Sequence, residues 1–296
     1  MISAVSLLLT QVSGDAVIRG RTPDSEIVIT TTTRVAGAIH SLKWRGKEFI
    51  DSTDHGRQLQ SAANFDGGSP ITDETYNPTE AGSRSDGTGP TSSSDLLSID
   101  AKDNRLIANS RLAFWLAPGE SSGSNLAKNT TVLSPWYMTK YVTIGTLGRS
   151  QLIEYQVVFG AHPNERQKQA VFESLTGYMP AEFSKFFRFD AKSSKLEPLS
   201  DGPGEQLDPI VFSTPDGKFA MGIYVPAAPP GEYQKERDVN RYGRWRFKSE
   251  KVVKWNCVSR VKLSDPPGWH FFYHYLAIGT REQVRKEMEF LSRAVF

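Results

Sequence analysis

The sequence predicts an all-β protein, a large antiparallel β-sandwich with one C-terminal helix, and three observations carry that expectation. Short β-branched or alternating runs recur along most of the chain. Turns rich in Pro, Gly, Asn and Asp separate them. Only the last segment has a helical period. The 296 residues are 38% hydrophobic and 11% aromatic, enough for a full core. No change of composition divides the chain, so residues 1–296 read as a single β-sandwich domain.

The elements follow in order. The apolar start, Met1 to Thr10, lacks a basic leader and a cleavage site and reads as a first strand rather than a signal peptide. Ile27 to Thr33 is β-branched, and Gly37 to Trp44 alternates before the turn Arg45-Gly46 and the short return Lys47 to Ile50. Asp95 to Asp100 and Arg105 to Leu116 form a hairpin about Lys102-Asp-Asn. Lys140 to Leu147 and Ser150 to Phe159 repeat it about Gly148-Arg149. Extended runs continue at 169–179, 186–190, 210–213, 219–226, 245–263 and 268–278. Thr280-Arg-Glu-Gln has the form of a capping box, and Val284, Met288, Leu291 and Val295 share one helical face behind it.

Composition excludes several classes. With 35 basic and 33 acidic residues the net charge is +2, which supplies no general attraction for nucleic acid or an anionic membrane. The basic run Arg241 to Lys254 reads as the solvated face of a hairpin. The single cysteine, Cys257, excludes an intrachain disulfide and reads as a small buried hydrophobe. Walker, Rossmann, zinc-protease, nucleophile-elbow and calcium-loop motifs are all missing, so no cofactor and no metal is expected.

Thr53 to Ser94 reads as one long polar loop carrying His55, Arg57, Gln58, Gln60, Tyr76, Asn77, Glu80 and Asp86. A loop of that length inside a compact domain is usually functional or disordered, and its chemical diversity favours function. Just before it, Val35-Ala-Gly-Ala-Ile-His-Ser-Leu-Lys-Trp-Arg-Gly-Lys-Glu-Phe-Ile resembles the opening of galactose-mutarotase-like supersandwich domains. That resemblance implies a twisted antiparallel sandwich with a concave sugar-binding face, as in aldose epimerases and modules of glycoside hydrolases and polysaccharide lyases. Aldose epimerases of this fold carry an Asn, then His-Pro and an aromatic. Here Gly160-Ala-His-Pro-Asn lacks the preceding strand context and the aromatic. Pro230-Gly-Glu-Tyr looks like the family's late loop but lies far from the C-terminus.

Three clusters are candidates for chemistry. In the loop, Tyr76 or His55 would abstract a proton beside a uronate carboxyl while Arg57 and Asn77 stabilise the charge; Glu80 with an Asp would instead serve hydrolysis. Gln58 and Asp86 add hydroxyl partners. In Trp269-His-Phe-Phe-Tyr-His-Tyr, period two puts Trp269, Phe271, Tyr273 and Tyr275 on one face and His270, Phe272, His274 and Leu276 on the other. His270 is a candidate acid or base and His274 a binding residue; at about 13 Å apart they do not share a metal. Trp136, Tyr137 and Trp255 are candidates for stacking on sugar rings.

The expectation is a glycan-cleaving enzyme, hydrolase or lyase, acting on an oligosaccharide or polysaccharide. An aldose 1-epimerase-like protein and a non-catalytic carbohydrate-binding module are the alternatives.

Overall fold

The computed structural model describes residues 12–226, 240–264 and 267–294. The expected strand at Met1 to Thr10, the Pro230-Gly-Glu-Tyr motif and Val295 lie outside the described residues.

Twenty-one strands and one α-helix follow one another among the described residues. The chain opens with β1 (Ala16–Thr22), β2 (Ser25–Thr31), β3 (Ile39–Trp44), β4 (Lys47–Glu48), β5 (Leu59–Phe65) and β6 (Pro78–Thr79). Next come β7 (Asp95–Lys102), β8 (Arg105–Phe114), the two-residue pair β9 (Ser121–Ser122) and β10 (Asn125–Leu126), β11 (Leu133–Ile144) and β12 (Leu152–Ala161). The second half contains β13 (Gln169–Pro180), β14 (Lys185–Asp190), β15 (Lys195–Pro198), β16 (Gly204–Gln206), β17 (Ile210–Ser213) and β18 (Ala220–Tyr224). It ends with β19 (Arg241–Phe247), β20 (Val252–Lys262), β21 (His270–Gly279) and α1 (Arg281–Ala294).

Pairing sorts these strands into two antiparallel layers. The first sheet runs β7-β8-β11-β12-β21-β18-β17-β14-β15. The second runs β1-β2-β3-β5-β13-β20-β19-β16. The short β6 bridges β5 of one layer to β8 of the other. Between the layers lies a core in which Trp136 stacks on Phe65, ring centres 4.1 Å apart, and Phe172 meets Phe65 edge-on. The all-β sandwich expected from strand and turn spacing is therefore the architecture observed.

Two elements differ from the expectation. The run 245–263 is not one strand: Lys248 to Lys251 turns it into the hairpin β19–β20. The stretch Thr53 to Ser94 is not one loop, because it contains β5, a fully buried strand in the middle of the second sheet. Its residues Leu-Gln-Ser-Ala-Ala-Asn-Phe carry little aliphatic bulk, which hides a strand from a reading based on β-branched content.

The helix lies against β18 and β21 on the outer side of the first sheet. Val284, Met288 and Leu291 are buried there with Leu152, Val211 and Ala277. Its start is a capping box: Thr280 Oγ1 accepts from the Gln283 amide at 3.3 Å, and Gln283 Oε1 accepts from the Thr280 amide at 2.8 Å.

Candidate functional site

The loop cluster expected to carry chemistry is held inward. His55 is buried, its Nδ1 2.8 Å from the Gly87 carbonyl and its Nε2 2.7 Å from that of Arg34. Both ring nitrogens are thus taken up in tying the chain at Gly87 to the chain at Arg34. Gln58 Nε2 donates to Ser52 Oγ at 3.1 Å and to the Asp54 carbonyl. Asp86 Oδ2 accepts from the Ser83 and Ser93 amides at 2.8 and 2.9 Å, closing a capped single turn. These are the bonds of a folded crossing, a direct consequence of the polar residues having to satisfy buried backbone.

Glu80 is fully buried in the core rather than facing a cleft. Its Oε1 pairs with Lys140 Nζ, its Oε2 accepts from the Ser61 amide at 3.1 Å, and Lys140 donates also to the Gly37 carbonyl at 2.9 Å. Trp136 and Trp255 are fully buried and pack in the core, so neither is placed to stack on a ligand. His274 is buried as well, its Nδ1 3.0 Å from the Tyr155 carbonyl and its Nε2 2.8 Å from Ser174 Oγ. Trp136, Trp255 and His274 lie on inner strand faces, where a side chain is buried whatever its chemistry, and Glu80, just past the bridging strand β6, enters the same interior.

The remaining candidates are dispersed. Tyr76 packs edge-on against Phe65 and Phe114 and donates to Glu165 Oε2 at 3.3 Å; burial, then the Glu165 charge, raises its phenol above the usual range. Asn77 accepts the Trp115 amide on its carbonyl at 2.8 Å. Tyr137 lies on the outer face of the first sheet under Arg111. His270 is on the inner side of β21, its ring centre 4.9 Å from that of Phe172. The period-two reading of β21 places its residues correctly: Trp269, Phe271 and Tyr273 are exposed, while Phe272, His274 and Leu276 are buried.

The structure gathers polar and aromatic groups elsewhere, on the outer face of the second sheet. Register aligns Gln60, Thr176, Asn256 and Gly243 in one row across β5, β13, β20 and β19. The next row in one direction is Ala62, Glu173, Val258 and Arg241, and in the other it is Tyr178, Lys254 and Trp245. At the centre, Lys254 Nζ lies 3.3 Å from Glu173 Oε2, 5.4 Å from the Tyr178 ring centre and 5.2 Å from that of Trp245. The Glu173 and Lys254 side chains keep 20% and 18% of their exposure, so the pair is enclosed but reachable.

Local sequence explains this arrangement. Gly243 has no side chain, and a Cβ there would lie 2.3 Å from Trp245 Cη2, so the indole rests on bare backbone. The same Cβ would lie 2.3 Å from Asn256 Oδ1, a buried oxygen without a hydrogen-bond partner. One edge of the face is bounded by Arg57, whose Nη2 meets Glu250 Oε2 at 2.6 Å and whose Nε lies 3.2 Å from Asp54 Oδ2. The Asp51 amide donates to the Tyr178 carbonyl at 2.8 Å and ties this rim to β13.

Electrostatics favour a charged lysine and a protonated tyrosine. Burial alone would lower the Lys254 ammonium, but the Glu173 carboxylate and Tyr178 outweigh it and hold the group above its ordinary value. Burial raises the Tyr178 phenol, against the opposing pull of Lys254. A carboxylate, an ammonium, a phenol and an indole converging on one partly enclosed face can bind a polyhydroxylated ring and move protons on it. Sequence reasoning passed over Glu173 and Tyr178 and read Lys254, at the end of the basic run from Arg241, as part of a solvated hairpin face, whereas it is enclosed between Tyr178 and Trp245 and paired with Glu173. The alternation of polar and apolar residues in β13 and β20 was the available signal, and a bulge in β13 obscures it.

A separate groove of about 660 Å³ lies at the start of α1, lined by Phe187, Lys195, Arg281 and Arg285 among others, and holds none of these groups.

The sequence matches no protein-family model and no curated protein. Similar solved structures include the Slr1438 protein from Synechocystis sp. PCC 6803, at 10% identity over 90% of this chain and 96% of that one, with a TM-score of 0.45. The GH36 α-galactosidase AgaA from Geobacillus stearothermophilus is 8% identical over 90% of this chain and 41% of its own, with a TM-score of 0.45. A polysaccharide lyase is 9% identical over 90% of this chain and 34% of its own, with a TM-score of 0.45.

Proposed function

We propose that the outer face of the second sheet binds a glycan and that the protein is a carbohydrate-active enzyme cleaving a glycosidic bond, by elimination at a uronate residue. The observation that carries this reading is the convergence of Glu173, Tyr178 and Trp245 on Lys254. Trp245 offers a flat apolar surface for the C–H face of a sugar, while Lys254 and Glu173, the partly exposed polar pair beside it, offer donors and an acceptor to its hydroxyls.

Elimination suits this set better than hydrolysis. Hydrolysis calls for two carboxyl groups flanking the scissile bond. Among the described residues, the central rows of the face present one carboxylate, Glu173 beside Lys254, while Asp54 and Glu250 stand at the rim on Arg57. Elimination needs one base, one acid and a cation. Lys254 neutralises the uronate carboxylate and so acidifies the adjacent C–H; Glu173 takes that proton. The C–H electron pair becomes the new double bond, the bond to the leaving oxygen breaks, and Tyr178 protonates that oxygen.

The same one-acid, one-base set would also serve anomer exchange in a free sugar, which keeps an aldose 1-epimerase-like activity as the second reading. One assay separates the possibilities. The protein is incubated with uronate polymers and neutral oligosaccharides while reducing ends and the ultraviolet absorbance of unsaturated product are followed. Absorbance with uronate polymers is the expected result. Reducing ends without absorbance would mean hydrolysis, faster equilibration of a free sugar's anomers would mean epimerisation, and binding without any turnover would leave a sugar-binding module.

A further inference from the structure

Glu173 and Tyr178 lie five positions apart on β13, an odd spacing that puts two residues of a regular strand on opposite faces. Both nevertheless approach Lys254 from the same side. The cause is a one-residue bulge. On β20, Glu173 pairs with Val258 but Leu175 with Cys257; on β5, Glu173 pairs with Ala62 but Thr176 with Gln60. Ser174 is the extra residue, and it restores Thr176 and Tyr178 to the face of Glu173.

A chain of buried groups holds the bulge from beneath. Ser174 Oγ lies 2.8 Å from His274 Nε2, and His274 Nδ1 lies 3.0 Å from the Tyr155 carbonyl. A carbonyl only accepts, so Nδ1 carries the proton, and in the neutral ring Nε2 accepts from Ser174 Oγ, whose other acceptor, the Cys257 carbonyl, is farther off at 3.4 Å. On the backbone side, Ser61 Oγ donates to the Ser174 carbonyl at 2.8 Å and lies 3.0 Å from the Tyr155 hydroxyl. Ser61, Tyr155, Ser174 and His274 are all 2% exposed or less. The chain thus links β12 and β21 of the first sheet to β5 and β13 of the second beneath the Glu173–Lys254 pair.

We infer that Ser174 and His274 are positioning residues for the candidate site: through the bulge they decide that Glu173 and Tyr178 face the same ligand. His274 acts from inside the core and does not touch the ligand. The catalytic part of this inference rests on the reading of this face as the glycan site, whereas the geometric part does not.

The test uses the full chain and two readouts. The first needs no substrate: the ε-methylene resonance of Lys254, shifted upfield by the Tyr178 and Trp245 rings, is assigned by NMR with Lys254→Met. In Ser174→Ala and in His274→Phe it should move downfield, towards its position in Tyr178→Ala. His274→Gln, whose amide can still accept from Ser174, should largely restore it. Leu106→Ala, a cavity in the first-sheet core remote from the bulge, should lower stability and leave the resonance in place. Should either primary variant fail to fold, Ser174→Cys and His274→Asn give the same comparison.

The second readout is turnover of a uronate polymer, where a misplaced Glu173 should cost roughly 10²-fold in kcat/KM with little change in KM. An unmoved Lys254 resonance in folded Ser174 and His274 variants would overturn the inference, as would an equal shift in Leu106→Ala. If the wild-type chain turns over no glycan, the proposed function fails while the resonance still decides the positioning.

Discussion

Glu173 and Tyr178 meet at one ammonium, that of Lys254, although a regular strand would point them to opposite sides of the sheet. The three groups are mutually dependent. The carboxylate keeps the lysine charged despite burial, and the lysine opposes the rise that burial imposes on the phenol.

Replacing Lys254 with Met keeps much of the packing between Tyr178 and Trp245 but removes the charge. Turnover of uronate polymers should fall by roughly 10²-fold, the scale on which single electrostatic stabilisers act. Binding of neutral oligosaccharides should change far less, and steady-state kinetics beside calorimetric titration measure both.

Removing the indole in Trp245→Ala takes away the stacking surface above Gly243. Affinity for any bound oligosaccharide should weaken by about 10-fold, equivalent to about 1.4 kcal/mol. Gly243→Ala should weaken it as well, because the new Cβ occupies the place where the ring lies. Isothermal titration of both variants against wild type tests the pair.

The Glu80–Lys140 pair predicts an asymmetry in stability. Lys140→Met alone leaves a fully buried carboxylate without its cation and should cost about 3–5 kcal/mol. Adding Glu80→Gln in the same chain removes the stranded charge and should recover a large part of that loss. Urea unfolding of the single and double variants gives the difference.

His40 makes stability depend on pH. Burial holds its imidazole below the ordinary value of 6.5, against the opposing pull of Glu48. Below about 6.5 the unfolded chain therefore binds the proton more readily than the folded protein. The His40 contribution is complete above that value and is lost below it, as the pH falls towards and through the lower value of the folded protein. Thermal unfolding from about pH 8 to about pH 5 should show the decline. His40→Gln should flatten it.

Much of the fold was legible in the residues. Alternation in Gly37 to Trp44, β-branching in Ile27 to Thr33 and the capping box at Thr280 each express a local physical preference, and each element formed where those preferences lie. Strand β5 escaped because Gln60, Ser61, Ala62, Ala63 and Asn64 have no such preference; it is a strand because β13 pairs with it along its length. The site was legible only in residue type. Polar and aromatic groups in the stretch around His55 and Glu80 have the composition of a sugar site, yet there they fill buried hydrogen-bonding needs.

The sequence by itself determined that the chain would form strands, turns and one terminal helix, because propensity and period act over a few neighbouring residues. Tertiary structure alone decided which polar groups would face outward together. That choice turns on sheet register and on the one extra residue at Ser174, which carries Glu173, Tyr178 and Lys254 to a common face while Glu80 and His274 are taken into the core.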